Sequence, residues 1–345
     1  MPAYNLQTAY AWGEPSLRGL LKCEPEDFRV EEILPFALSG VGEHLYLQIQ
    51  KKQLNTQDLL QHISRCWHVP QKLISVAGLK DKQAVTTQWV SVHLPGKVDP
   101  ELSLLHSELV QVLSTQRHSG KLRVGALSEN RFQIRLRKVE GDFAQLEQRC
   151  EQIKLGVPNY FGLQRFGHEG KNLNMAEKLF SGEAQVKDRH RRGLYLSAAR
   201  SWLFNQILAN RVADQTWNRP LAGDCLQLHG RGSFFLAEEI DATLEARCQA
   251  RELHPTGALW GSGELPTRLQ VANLEQASAQ GCEIFSRGLE QAGLRQERRA
   301  LRLVPDQFDW QRLSADELLF SFSLPAGAYA TEVIRELVLT AEAAR

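Results

Sequence analysis

The stretch "SVAGLKDKQAVTTQWVSV", residues 75–92, sets one acid among bases: Lys80, Asp81, Lys82. The apolar run Leu73–Ala77 leads in through Gly78, and the β-branched run Val85–Val92 leads out. β-Branched residues favour extended backbone and glycine punctuates it, so the stretch predicts strand, loop, strand, with the carboxylate at the tip.

Upstream, "DFRVEEI" near residue 30 predicts a further strand. "EHLYLQIQKK" (43–52) alternates, with Leu45, Leu47 and Ile49 on one face and Tyr46, Gln48 and Gln50 on the other. "NTQDLLQHISRCWH" (55–68) predicts a helix capped by Asn55 or Thr56, its apolar stripe being Leu59, Leu60, Ile63, Cys66 and Trp67. Val69-Pro70 stops it. Downstream, 108–115 and 131–139 predict strands; in "RFQIRLRK", Phe132, Ile134 and Leu136 share a face and Arg131, Gln133, Arg135 and Arg137 the other. A helix follows over about 142–153. Short connections between mixed elements predict an α+β fold with a mixed, largely antiparallel sheet.

"GVPNYFGLQRFGHEG" (156–170) breaks this rhythm with Gly, Pro and aromatics and marks a junction. Beyond it, 196–213 predicts a strong helix with Ala199, Leu203, Ile207 and Leu208 inward; glycine-rich "AGDCLQLHGRGSFF" and "LWGSGELPTR" follow, then a helix over 281–294. Strand signals return near 303 with "LLFSFSLPAG", and "ATEVIRELVLTAEAAR" (330–345) predicts a closing helix. The pattern is a sheet-containing domain interrupted by a large insertion.

A chain of 345 residues is long enough for two domains. Its 43% hydrophobic and 23% charged content describes a soluble protein. No run approaches the roughly 18 apolar residues of a membrane span. The N-terminus lacks a basic start followed by an apolar block, so it is not read as a secretory signal. The six cysteines are scattered without a CxxC pair, which reads as free thiols in a reducing cytoplasm. A net charge of +1 means that any anion-binding surface is local. Two stretches qualify: Arg117 to Lys138, with seven Lys/Arg against Glu129, and "KDRHRR" (187–192).

"GLQRFGH" has the glycine spacing of a P-loop, but His168 stands where the lysine must be. "GRGS" and "GSGE" are too short for a dinucleotide fingerprint, and there is no HExxH, G-x-S-x-G or clustered histidine. What remains is carboxylate chemistry beside local basic surface.

"AGLKDKQAVTTQWV" (77–90) resembles the active-site motif of the TruD family of tRNA pseudouridine synthases. "LLKCEPEDFRVEE" (20–32), "GVPNYFGLQRFG" (156–167), "LSAARSWLFNQI" (196–207), "GDCLQLHGRGSFF" (223–235) and "LPAGAYATEVIREL" (324–337) resemble the family too, in family order. The resemblance implies a circularly permuted pseudouridine synthase catalytic domain over 1–155 and 304–345, and an inserted α/β TRUD domain over 156–303. It implies isomerisation of uridine 13 in tRNA, in the cytoplasm, without cofactor or metal, by an enzyme taken as monomeric. The shared catalytic aspartate falls on Asp81 and its basic partner on Lys22, while Lys80 and Lys82 are expected to face phosphates or solvent. Phe132 is expected to stack on the target base, and Asn130 to bond the uracil edge or orient Asp81. Asn159 and Arg165, in the junction motif, are expected to contact substrate, and Phe161 and Phe166 to pack there.

A carboxylate suits the reaction. It can attack C1′ as a nucleophile, or stabilise a cationic sugar and remove its C2′ proton, and the sequence leaves both routes open. Two rivals remain. A nucleoside or glycoside hydrolase would want a second acid, from Glu26, Asp27, Glu31 or Glu32. A noncatalytic RNA-binding protein on the same scaffold would tolerate loss of Asp81.

Overall fold

The computed structural model describes residues 4–342. In chain order the elements are β1 (Leu17–Leu21), β2 (Phe28–Ile33), β3 (His44–Lys52), α1 (Thr56–Cys66), β4 (Ile74–Val76), β5 (Val85–His93), β6 (Val110–His118), β7 (Glu129–Gly141) and α2 (Leu146–Leu155). Then come β8 (Val157–Pro158), α3 (Lys171–Phe180), α4 (Arg189–Ala213), β9 (Asp224–Leu228), β10 (Phe234–Ala237), α5 (Ala242–Gln249) and β11 (Leu253–Leu259). The chain closes with α6 (Leu269–Gln280), α7 (Glu283–Gln291), β12 (Glu297–Ala300), β13 (Arg302–Leu303), β14 (Asp306–Ser314), β15 (Glu317–Pro325), α8 (Ala330–Arg335) and β16 (Leu339–Glu342). It forms two compact units. One comprises Pro15–Leu146, Pro305–Gly327 and Val338–Arg345; the other comprises Met1–Glu14, Glu147–Val304 and Ala328–Leu337. The first chain segment and the segment 328–337 thus group with the central part of the chain, which the sequence boundaries at 155/156 and 303/304 did not anticipate.

The first unit is built on a mixed sheet in the order β14-β15-β7-β2-β5-β3-β6, with β4 paired to β5 and β1 paired to β7 and β16. Only the β2–β5 and β1–β16 pairs are parallel among the described residues. The predicted alternation of β3 holds: Leu45, Leu47 and Ile49 pack against Leu59, Ile63 and Trp67 of the α1 region. Each such side chain contributes about 1.5–3 kcal/mol by leaving water. Tyr46, on the opposite face, is buried as well, against Ala77 and Leu122. Asn55 caps α1, its side chain accepting from the Asp58 N–H at 2.8 Å.

Several expected boundaries move. The helix expected over 142–153 starts at Leu146 because Asp142 caps a tighter turn over Phe143–Gln145. The helix expected from 196 begins at Arg189, because Asp188 accepts the Arg191 N–H at 2.9 Å and makes "RHRR" its first turn. The closing helix expected over 330–345 ends at Arg335, and Leu339–Glu342 forms a parallel strand against β1; residues 343–345 lie outside the described residues. Pairing with β1, Arg18 to Leu339 through Leu21 to Glu342, makes Leu339–Glu342 a strand.

In the second unit a four-stranded sheet runs β10-β9-β11-β12. α4 buries Ala198, Ala199, Leu203 and Ile207 with Leu173 and Ala176 of α3 and Phe285 and Leu289 of α7. Asn205, buried on α4, donates to the Phe161 carbonyl and accepts from its N–H, both at 2.9 Å. Helices α3, α5 and α6 were not anticipated from the sequence. No described helix is long and apolar enough to cross a membrane.

Candidate active site

The loop between β4 and β5 carries Asp81. Lys22, just past β1, reaches it with Nζ 3.0 Å from Oδ2. Lys22 takes φ 57°, a left-handed conformation uncommon for a lysine, and its ammonium lies 4.6 Å from the centre of the Phe28 ring. The pair is asymmetric: the Lys22 side chain is 12% exposed, the Asp81 side chain 57%. An ion pair so open to solvent adds at most about 1 kcal/mol to stability. Its consequence is positional: the carboxylate has one fixed cation and a solvent-facing side.

The backbone of the loop is held separately. Lys51, 1% exposed on β3, donates from Nζ to the Asp81 carbonyl at 3.0 Å. Burial pushes the Lys51 ammonium down to about 8, against the opposing pull of Asp81. The Lys80 N–H donates to Thr56 Oγ1 at 2.9 Å. The side chain of Lys80 turns inward, contrary to the expectation that it faces phosphates or solvent. Its Nζ lies 2.8 Å from Asn130 Oδ1 and 2.8 Å from Glu32 Oε1. Glu32 is fully buried, and its other oxygen accepts the Trp89 N–H at 2.8 Å. Burial raises the Glu32 pKa and Lys80 opposes the rise. A buried carboxylate without a cation would be costly, and that explains the inward turn. Lys82 is exposed, as expected.

The strand register places Phe132 beside Val30 and Phe322, and Asn130 beside Glu32. Phe132 is 8% exposed, its ring edge-on to Phe28 with centroids 6.1 Å apart. It is a core side chain that also touches the aromatic ring under Lys22. Asn130 lies within β7, not in a turn. Lys22, Asp81, Asn130 and Phe132 are therefore brought together, through Phe28 and Lys80. The sequence reading missed Phe28, Lys51 and Glu32 as members of the group. A lysine on the apolar face of β3, in register with Leu45, Leu47 and Ile49, was the one available signal for Lys51.

Arg165 and Asn159 lie in the other unit with partners of their own. Arg165 donates to the Tyr329 hydroxyl at 2.8 Å and to Ser197 Oγ at 3.0 Å. Asn159 donates to the Ala300 carbonyl at 2.8 Å and accepts from Arg299 at 2.6 Å. Asn159 is thus a buried tie between chain segments. Phe166 is 1% exposed in the core, and Phe161 lies edge-on to Phe204.

Four of the seven bases in the stretch 117–138 sit in ion pairs: Arg117 with Asp99, Arg131 with Glu129, Arg135 with Glu317, and Arg137 with Glu24, Asp27 and Glu317. The 187–192 stretch is exposed. Three of the four acids named for a hydrolase are in ion pairs, Glu26 with Lys52, Asp27 with Arg137 and Glu32 with Lys80, while Glu31 accepts a hydrogen bond from Gln48 at 3.4 Å. A cavity of about 300 Å³ is lined by Arg29, Glu31, Thr87, Arg131, Gln133 and Ser321 among others, but by neither Asp81 nor Lys22. The register puts those six side chains on the face opposite Asn130 and Glu32, while Phe132, Val30 and Phe322 also line the cavity. No cluster that could hold a metal ion occurs among the described residues.

The fold of this chain is that of a solved structure described as the putative tRNA pseudouridine synthase D (TruD) from Methanosarcina mazei. That structure matches at TM-score 0.70 over 96% of this chain and 95% of its own, with 23% identity. The sequence profile described as "tRNA pseudouridine synthase D (TruD)" matches residues 6–186 and 171–337. Proteins named tRNA pseudouridine synthase D are similar throughout. That of Hydrogenovibrio crunogenus is 46% identical over 330 residues, 95% of each chain. That of Methylococcus capsulatus is 49% identical over 331 residues, 95% of this chain and 93% of its own. The chain belongs to the TruD family.

Proposed function

We propose that this chain is a tRNA pseudouridine synthase that isomerises uridine 13, with Asp81 as the catalytic carboxylate and no cofactor. The unit bearing Asp81 is the catalytic domain in this reading, and the central insertion is the TRUD domain. The observation that carries it is the geometry of Asp81 in a chain of this family: one oxygen fixed by Lys22, the backbone fixed by Lys51, and the side chain open to solvent.

The reaction breaks N1–C1′, turns the uracil and joins C5 to C1′; the C5 proton leaves and N1 gains one, so atoms and electrons balance without a redox partner. Asp81 acts at C1′ as nucleophile, or stabilises the oxocarbenium sugar and removes the C2′ proton. Lys22 holds an ammonium 3.0 Å from one oxygen of the carboxylate and so fixes its orientation. Phe132, backed by Phe28, gives the everted base an aromatic surface. Asn130 accepts from Lys80 through Oδ1, which leaves its NH₂ group to donate to a uracil carbonyl. Arg165 and Asn159, spent on their own unit, are assigned no substrate contact.

The test is tRNA tritiated at uracil C5. Tritium passes into water without release of free uracil, and Asp81→Asn stops this while RNA still binds. Free uracil would mean hydrolysis, and undiminished label release by Asp81→Asn would defeat the assignment.

A further inference from the structure

Leu79 stands two residues before Asp81 and is 69% exposed. The backbone around it is not loose. The Ala77 carbonyl accepts from the Gly125 N–H at 2.7 Å, the Lys80 N–H donates to Thr56 at 2.9 Å, and the Asp81 carbonyl accepts from Lys51 at 3.0 Å. The Lys80 side chain is drawn inward by Asn130 and Glu32, while those of its neighbours Leu79 and Asp81 are both exposed. The inward Lys80 thus sits between two exposed neighbours, and the loop offers Leu79 and Asp81 to solvent from the same pinned segment. Residues two apart in a chain lie at most about 7 Å from each other, so Leu79 is within reach of the nucleotides beside one held at Asp81.

We infer that Leu79 is a wedge: it enters the base stack of tRNA at the gap left when the target uridine swings out to Asp81. This rests on the synthase reading above and adds a substrate-touching residue to it. Eversion takes a base from its stack, and an apolar side chain inserted between base steps occupies the vacancy and slows the return. The wedge must be fixed relative to the carboxylate, and the pinned backbone fixes it. Gly78, with nothing within 4 Å of where a Cβ would be, leaves the approach beside it clear.

The experiment compares wild type with Leu79→Ala and Leu79→Met on tRNA tritiated at uracil C5. Leu79→Ala lowers kcat about ten- to a hundredfold, the equivalent of losing part of an unstacking cost, with KM changed far less. Leu79→Met, unbranched but apolar and of like length, keeps most of the activity. In a second measurement, tRNA with 2-aminopurine on the 3′ side of uridine 13 is bound by Asp81→Asn and by the double variant Asp81→Asn/Leu79→Ala. The fluorescence rise on binding is seen with the first and lost with the second. Leu79→Ala turnover within about twofold of wild type, or an equal fluorescence rise in both variants, would overturn the wedge. If wild type releases no tritium from tRNA, the synthase reading itself fails, a separate outcome. An exposed side chain can be truncated without unfolding the chain, so a loss of turnover with unchanged thermal midpoint reports on the RNA.

Discussion

Two aspartate–cation pairs, one in each unit, show how a fold can leave one carboxylate open and close another. Asp224 receives Arg211 in a fork, Nη1 to Oδ1 at 2.9 Å and Nη2 to Oδ2 at 3.0 Å, and Oδ2 also accepts the Leu221 N–H at 2.7 Å. Its side chain is 0% exposed, and Arg211 spends its remaining donors on the carbonyls of Thr216 and Arg219. Nothing is left to offer. Asp81 receives one point-charge donor from Lys22 and stays open. Arginine forks suit closed geometry, and a lysine ammonium leaves its partner's other oxygen available. The difference lies in how many lone pairs the fold has already used.

The largest effects would break the comparison if they crossed over. Asp81→Asn should cut tritium release by at least about a thousandfold while moving unfolding free energy by less than about 0.5 kcal/mol. Asp224→Asn should do the opposite. It leaves a buried guanidinium unpaired and costs about 3–5 kcal/mol, read by denaturant titration, with kcat of the folded fraction unchanged. A stable Asp224→Asn would show that the fork is decorative.

Glu332 sharpens the contrast, being buried without a fork: Arg335 Nε lies 4.0 Å from its carboxylate. Burial pushes the Glu332 pKa up to about 7 from an ordinary 4.5. The folded chain then holds a proton that the unfolded chain has released, so this contribution to stability is full below pH 4.5 and is lost as pH rises through about 7. Over that window the unfolding free energy of wild type should fall by up to about 3 kcal/mol relative to Glu332→Gln. Parallel stability–pH curves for the two proteins would remove the argument. A smaller effect is expected at Lys22. Lys22→Met should lower kcat about ten- to a hundredfold and stability by no more than about 1 kcal/mol, and Lys22→Arg should recover part of the rate. A full loss of stability in Lys22→Met would make the pair structural, like that of Asp224.

The parts legible in the sequence were those fixed by neighbours in the chain. The alternation of β3, the stripe and cap of α1 and the loop before β5 follow from periodicity and capping chemistry. Asp81 was singled out by the resemblance of its motif to a family, not by periodicity or capping. What escaped was set by partners far along the chain. Lys80 turns inward because of Glu32 and Asn130, and Lys51 lies under the loop because β3 pairs with β5 at Thr86. The last strand read as helix because "VIRELVLTA" suits either, and pairing with β1 decided it. Asn159 and Arg165 looked like site residues because the junction motif is conspicuous, yet a motif does not show which hydrogen bonds are already spent.

The smallest expected effect asks whether the Asp81 loop depends on the end of α1. Asn55→Ala removes the acceptor of the Asp58 N–H and should cost about 1 kcal/mol, the usual worth of such a cap. Turnover should not change. Thr56, the residue that holds the Lys80 N–H, is itself 1% exposed and donates to Gln88 Oε1 at 3.1 Å on the sheet, so its position does not rest on the cap. A tenfold fall in kcat with the same 1 kcal/mol loss (about the size one hydrogen bond allows) would mean that the helix end, rather than the sheet, sets the carboxylate. The loop would then be held more weakly than the ion pair it presents, and the contrast with Asp224 would extend from the side chain to its supporting backbone.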